Sequence, residues 1–429
     1  MTRVRDFLQN LFRVAVAAAH PAQCLVSHLP PPPPRGRLIM LAAGKAAGSM
    51  TEIAERHYCE TLGVPAQRMS GLAVTRYGYG RPTSIVPVVE AAHPIPDAAG
   101  LAAADKALGL AENATADDLV LVLLSGGASA NWTAPAAGLT LADKQATTQA
   151  LLRCGATIGE INTVRKHLSR IKGGRLAARA FPAPVVTLAI SDVPGDDPAV
   201  IGSGPTVADP STLGDARAII ARHRLDVPPA VQRMLADPSN ETPKASDPSL
   251  ARSSFQIAAR PADAFRAAEQ AGREAGYDCV MLGDSLEGEA REVAAMHAGL
   301  ALEARKAGTR SIILSGGELT VTLAGHGRGG PNQEYALALA VALDGQPGIV
   351  ALAADTDGTD GGAGSAQDPA GAMIDPSTCM RARRFGLDPA AFLANNDSTT
   401  FFQTLGDLLS PGPTYTNVND FRAILIDTP

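Results

Sequence analysis

Aromatic side chains are scarce in this sequence: Phe, Tyr and Trp make up 4% of 429 residues, with one Trp. The cores must therefore be filled mostly by Ala, Val, Leu and Ile. Excess basic charge is also missing, since 37 Lys and Arg stand against 43 Asp and Glu for a net charge of -6. That balance argues against a nucleic-acid surface, which needs clustered cations. The eight His are scattered and nowhere show metal-ligand spacing. Cysteine is sparse and odd in number: Cys24, Cys59, Cys154, Cys279 and Cys379 lie far apart. With no secretory segment in view, this predicts reduced, mostly buried thiols in a cytoplasmic protein. Long apolar runs are absent too. The N-terminal RDFLQNLFRVAVAAAH has a helical period broken by polar residues, and it falls short of the ~20 apolar residues that a membrane span requires. A soluble monomer or homodimer with no membrane partner is expected.

What is present is a chain that is 45% hydrophobic and 19% charged, and long enough for two domains. Buried-strand patterns alternate with helical ones. RLIMLAA, DDLVLVLLS and APVVTLAIS read as strands buried on both faces, and helical stretches such as LADKQATTQALLRCG lie between them. The alternation breaks at residues 236–254, rich in Pro, Ser and Asp, and restarts with FQIAA. The expected fold class is α/β with two domains, each a mainly parallel sheet flanked by helices. Residues 1–240 and 255–429 form the domains, and 241–254 link them. TVTLA is expected to form a hairpin with SIILS.

One phrase occurs twice. DDLVLVLLSGG and TRSIILSGG are apolar runs ending in Ser-Gly-Gly, one in each expected domain. In open parallel sheets ligands sit beyond the carboxyl ends of strands, so both glycine turns lie where ligands should go. Lys45 follows Gly44 at another strand-to-helix turn, where a cation opposes the helix dipole unless an anion joins it. SDVPGDDP brings Asp192, Asp196 and Asp197 to a strand end, and DTDGTDGG brings Asp355, Asp357 and Asp360 to another. Such carboxylate clusters repel unless a cation sits among them. In GHGRGGPNQE, Gly325, Gly327 and Gly330 match the G-x-G-x-x-G pattern of dinucleotide sites. An NAD(P)H-dependent hydroxypyruvate reductase is therefore an alternative reading, and a non-catalytic hydroxyacid sensor is a second.

The Gly44-Lys45 turn, LLSGGASA, INTVRKHLSRIKGG, ISDVPGDD, SGGELTVTL, GRGGPNQEYALALA, DTDGTDGG, NNDSTTFF and GPTYTNVND occur in this order nearly end to end. Together they resemble the glycerate 2-kinase family with its C-terminal MOFRL domain, some of whose bacterial members are labelled hydroxypyruvate reductases. The resemblance implies phosphoryl transfer from ATP, with Mg²⁺, to the 2-hydroxyl of D-glycerate in a cleft between two α/β domains. It places the family's lysine on Lys45 and its aspartate on Asp192. The family's arginine position holds Pro331, so Arg328, three residues earlier, is the candidate cation. Phosphoryl transfer needs positioning and positive charge rather than covalent help. Ser125, Gly126, Gly127 and Ser129 are accordingly expected to cradle phosphates, with Lys166 beside them. Arg165 and Lys172 share that basic segment. Glu318, Asn332, Asp357, Asp360, Asn396, Thr414 and Asn417 are the expected substrate wall, with Asn419 beside them and Asp355 as the candidate Mg²⁺ ligand.

Overall fold

The computed structural model describes residues 2–362 and 364–427. It divides into two compact units, Leu25–Ala258 and the described parts of Met1–Cys24 with Ala259–Pro429.

The first unit is built on strands β1 (Leu38–Ala43), β2 (Met69–Arg76), β3 (Val88–Ala91), β4 (Leu119–Leu124), β5 (Val185–Ile190) and β6 (Ser253–Ala259). They lie in the order β3-β2-β1-β4-β5-β6. The pairs β1–β2, β1–β4, β2–β3 and β4–β5 are parallel. Every residue of β1 and β4 is buried, as continuous apolar runs covered by helices on both faces require. The core around them is almost wholly Ala, Val, Leu and Ile, and Trp132 is its one buried aromatic. A second apolar cluster joins the helices Leu141–Arg153, Ile158–His167, Leu213–Arg222 and Pro229–Ala236 through Leu151, Val164, Ile219 and Val231.

The expected linker belongs to this unit. Residues 241–254 have few large apolar groups, but their polar side chains are bonded down. Glu241 accepts from the Leu213 amide at 3.0 Å, and Lys244 donates to Thr242 Oγ1 at 2.7 Å. FQIAA lies in β6, an edge strand of the first sheet rather than the opening of a second domain. The helix Thr2–Ala19 also departs from expectation, since it packs with the second unit. Its Arg5 bridges Asp375 at 2.8 Å and Asp407 at 2.7 Å. Contiguity in sequence does not fix which core an amphipathic helix covers.

The second unit holds β7 (Asp278–Met281), β8 (Gly288–Glu289), β9 (Ser311–Ser315), β10 (Leu319–Thr320), β11 (Ile349–Asp355), β12 (Gly371–Ile374), β13 (Leu408–Leu409) and β14 (Asp420–Ile426). Its main sheet has the order β13-β12-β11-β14-β9-β7. Only β7–β9 is parallel, and the pairs of β11 with β12 and β14, of β12 with β13, and of β14 with β9 are antiparallel. The parallel sheet expected here is therefore mixed. Strand–helix alternation implies parallel pairing only when a crossover returns the chain to the same end. The loop 410–419 instead feeds β14 back between β11 and β9 in the opposite sense. TVTLA does not pair with SIILS, because Leu319–Thr320 joins β8 in a separate two-stranded ribbon.

Candidate active site

In the first unit the Lys45 turn and the first Ser-Gly-Gly phrase are braced together. They follow adjacent strands, β1 and β4, at the carboxyl ends. The Lys45 amide donates to the Gly126 carbonyl at 2.8 Å, and the Ala46 amide donates to Ser125 Oγ at 2.9 Å. Gly44 has φ +120°, and a Cβ there would lie 2.4 Å from the Ser125 carbonyl oxygen, so glycine is required for this contact. Gly127 has φ +86°, and a Cβ there would stand 3.3 Å from Lys45 Cγ. The lysine side chain thus runs past the glycine turn, at the N-terminus of the helix Ala47–Arg56. The first two amides of that start are already engaged, Ala46 by Ser125 Oγ and Ala47 by the Gly44 carbonyl at 3.1 Å. Asp192 lies half-buried just beyond β5, the neighbour of β4.

Ser129 Oγ bonds Ser203 Oγ at 2.7 Å, and its carbonyl accepts from Lys172 Nζ at 3.0 Å. Lys166 is placed differently from its expected phosphate role. Its buried ammonium lies 2.6 Å from Asp209 Oδ1. Burial alone would raise the Asp209 carboxyl, but bonds from Lys166 and Ser211 hold it below its usual value. Lys166 is a structural partner of Asp209.

In the second unit the glycine-rich loop is clamped by NNDS. Asn396 Oδ1 accepts from the Ala324 and Gly325 amides at 2.8 and 2.9 Å, while its Nδ2 donates to Glu334 Oε1 at 3.1 Å. The Gly327 amide donates to the Asn395 carbonyl at 2.9 Å, and the Arg328 amide to Asp397 Oδ1 at 3.0 Å. Cβ atoms at Gly325, Gly327 and Gly330 would lie 2.3 Å from Asn395, Asp397 and Asp360. These glycines admit the protein's own backbone, and they lie in an irregular loop rather than after a long buried strand. Among the described residues, the exposed Arg328 guanidinium makes no hydrogen bond or ion pair. Pro331 opens the helix Pro331–Leu343, a position where its missing N–H costs nothing.

Asp360, expected to touch substrate, is turned to that helix start. Its Oδ1 accepts from the Asn332 amide at 3.0 Å and its Oδ2 from the Gln333 amide at 2.9 Å, with both side-chain amides adding bonds. Burial, set against these bonds and reinforced by the nearby Asp420 charge, pushes its carboxyl up to about 7. Asn396 and Asp360 are thus supports of the loop. Asn332 joins Asp360 to Asp420, reaching Asp420 Oδ1 at 2.6 Å.

Behind them is a residue that the sequence reading missed. Arg422, 0% exposed on β14, lies 3.4 Å from Asp420 Oδ2. It donates to the Gly316 and Gly317 carbonyls at 3.1 Å each. A buried arginine thereby anchors the second Ser-Gly-Gly turn, whose Gly317 also has positive φ, +95°. Nothing in FRAILI except a lone Arg inside an apolar run signals this.

DTDGTDGG and GPTYTNVND are laced together. The Thr414 amide donates to the Asp357 carbonyl at 3.1 Å, and Thr356 Oγ1 donates to the Asn419 carbonyl at 2.6 Å. Asn417 Oδ1 accepts from the Asn419 amide at 3.3 Å. Asn396, Tyr415 and Asn419 have positive φ, strain of a kind that clusters at ligand sites. Asp355 Oδ1 accepts from the Asp357 amide at 2.9 Å, and Glu318 is exposed after the second Ser-Gly-Gly. Among the described residues no group of three or more His, Cys, Asp or Glu is gathered to hold a metal ion.

Loops at strand ends, a lysine beside a glycine turn in one unit and a braced glycine-rich loop in the other mark a two-unit α/β protein. Comparison with known proteins narrows that class. Residues 7–236 match the family described as domain of unknown function DUF4147, and residues 311–420 match the MOFRL family. A putative hydroxypyruvate reductase of Agrobacterium vitis is 48% identical over 98% of this chain and 94% of its own. The D-glycerate 2-kinase of Thermotoga maritima is 39% identical over 91% of each chain. The crystal structure of a glycerate kinase from Thermotoga maritima superposes with a TM-score of 0.87 at 36% identity, covering 100% of both chains. The chain belongs to the glycerate 2-kinase family with a MOFRL domain. Among the described residues no helix is long and apolar enough to cross a membrane.

Proposed function

We propose that this protein transfers the γ-phosphoryl group of ATP to the 2-hydroxyl of D-glycerate, giving 2-phosphoglycerate. The observation that carries the reading is the brace between Lys45 and Ser125-Gly126-Gly127. It holds the Lys45 side chain, a glycine turn and the start of a helix together at adjacent strand ends. This is a preorganised setting for phosphate oxygens. Lys45 stabilises the charge that shifts as the phosphoryl group moves. Asp192 orients the 2-hydroxyl and takes its proton. Arg328 supplies a planar guanidinium to the phosphoryl oxygens. Thr414, Asn417 and Asp357 contact the glycerate.

Mg²⁺ binds nucleotides through few carboxylates together with the phosphates themselves. Asp355, half-buried at the end of β11 with its Oδ1 accepting from the Asp357 amide, would supply a single carboxylate in that mode. When bound, the ion neutralises phosphate charge.

The reductase reading draws on the names of the Agrobacterium vitis relatives. It needs a pyrophosphate against Gly325, Gly327 and Gly330, where Asn395, Asp397 and Asp360 already lie. The test is a side-by-side assay. D-glycerate should elicit ADP release from ATP, and hydroxypyruvate should elicit no comparable oxidation of NADH or NADPH. Reductase turnover without ADP release would overturn the proposal.

A further inference from the structure

Three basic side chains of the first unit lie near enough to repel one another, and among the described residues no acid pairs with any of them. Lys144 lies on the helix Leu141–Arg153, Arg165 on Ile158–His167, and Lys172 in the segment that follows. Lys144 is 4% exposed, and its Nζ has no hydrogen-bond partner among the described residues. Lys172 is 1% exposed and donates to the Ser129 carbonyl at 3.0 Å, so the cluster adjoins the Ser-Gly-Gly turn. Burial and the neighbouring cations disfavour the charged form of both lysines. Lys144 is lowered to about 7 by burial and by Arg165, and Lys172 falls well below its usual value through burial, Lys144 and Arg165.

The acids on the same helices are engaged elsewhere. Asp143 closes the capping box with Thr140, and Glu160 closes another with Thr157 while pairing with Arg222 at 2.7 Å. The contrast with the next residue is instructive, because Lys166 is equally buried yet has Asp209. Buried charges are paired in proteins or else await a ligand of opposite sign.

We propose that Lys144, Arg165 and Lys172 form an oxyanion site that extends the Ser-Gly-Gly cradle and holds phosphate groups of the nucleotide. The identity of the ligand rests on the kinase reading above, whereas the existence of the site does not. A glycerate carboxylate shares the chemistry, so the test has separate arms for the two.

The full chain is titrated calorimetrically with ADP, pyrophosphate and D-glycerate, as wild type and as Lys144→Met. The expected result is that Lys144→Met weakens ADP and pyrophosphate by on the order of tenfold or more, with glycerate unchanged. Its ligand-free Tm should hold or rise, because a similar-sized apolar chain replaces a buried amino group that has no partner among the described residues. A purely structural lysine would instead lower that Tm and leave ADP affinity intact, which overturns the proposal. So would a loss confined to glycerate. Arg165→Gln, at the more exposed edge of the cluster, should repeat the ADP result should Lys144→Met fail to fold. Site-dependent pyrophosphate binding by a protein that phosphorylates nothing would uphold the site and sink the kinase reading. Turnover by Lys144→Met with an unchanged KM for ATP would do the reverse.

Discussion

Arg422→Met removes the buried cation on which the second Ser-Gly-Gly turn depends. Arg422 is fully enclosed, and among the described residues it meets Asp420 at 3.4 Å and the Gly316 and Gly317 carbonyls at 3.1 Å. Methionine fills much of the space but leaves Asp420 facing Asp360 without a counter-charge. Removing one member of a buried ion pair typically costs about 3–5 kcal/mol. For a unit of this size each kcal/mol lowers Tm by roughly 2–4 °C, so a fall of roughly 6–20 °C in its calorimetric transition is expected. The pH dependence has a definite sign. Burial already raises the Asp420 carboxyl and Arg422 opposes that rise, so the substitution raises it further. The folded variant then binds more protons than wild type, and its deficit shrinks as pH falls through the raised value. Asp420→Asn in the Arg422→Met background should recover much of the loss at neutral pH. A deficit under about 1 kcal/mol, or one that Asp420→Asn deepens, would refute the view of Arg422 as a charge anchor.

Three further outcomes are expected. Lys45→Ala should cut kcat by on the order of 10²–10³ with little change in the KM for glycerate, since its charge acts on the moving phosphoryl group; near-normal turnover would return it to a surface lysine. Arg328→Lys should lose much of the activity and Arg328→Ala more, because an ammonium lacks the planar fork. Pro331→Arg in the Arg328→Ala background should restore part of it, and a nearly silent Arg328→Ala would rule this loop out as the source of the charge. Lys166→Met should lower the Tm of the first unit while leaving kcat/KM within about twofold. Asp209 is held below its usual value, so the pair's stabilisation is present above the unfolded carboxyl range and lost as pH falls through the lowered value. The Lys166→Met deficit should accordingly narrow in acid.

The first sheet was legible in sequence because β1 and β4 are unbroken apolar runs closed by glycine or serine, and β5 is interrupted only by Thr187. The Lys45 turn was legible for the same reason, since a cation at a helix start conflicts with its surroundings unless an anion comes. The second sheet was not. Its strand directions are set by the loop before β14, and no local pattern in DFRAILI reveals which neighbours it meets. Side-chain roles were least legible where one residue type serves two ends. Asp360 and Asn396 lie in polar, glycine-rich loops that look ligand-binding, yet both satisfy backbone donors of the loops beside them. Lys166 and Arg165 are sequence neighbours with opposite fates, because the helix turns one toward Asp209 and the other toward the cation cluster. The cluster itself required Lys144, twenty-one residues before Arg165, which only the packing of the two helices brings near.

The position of the transferred phosphate tests the central claim most directly. After incubation of the full-length protein with ATP, Mg²⁺ and D-glycerate, phosphorus–proton correlation NMR of the product should couple the new phosphorus to the single proton on C2. Coupling to the C3 methylene protons would contradict the assignment of the 2-hydroxyl, and no new phosphoester signal would contradict the kinase reading altogether.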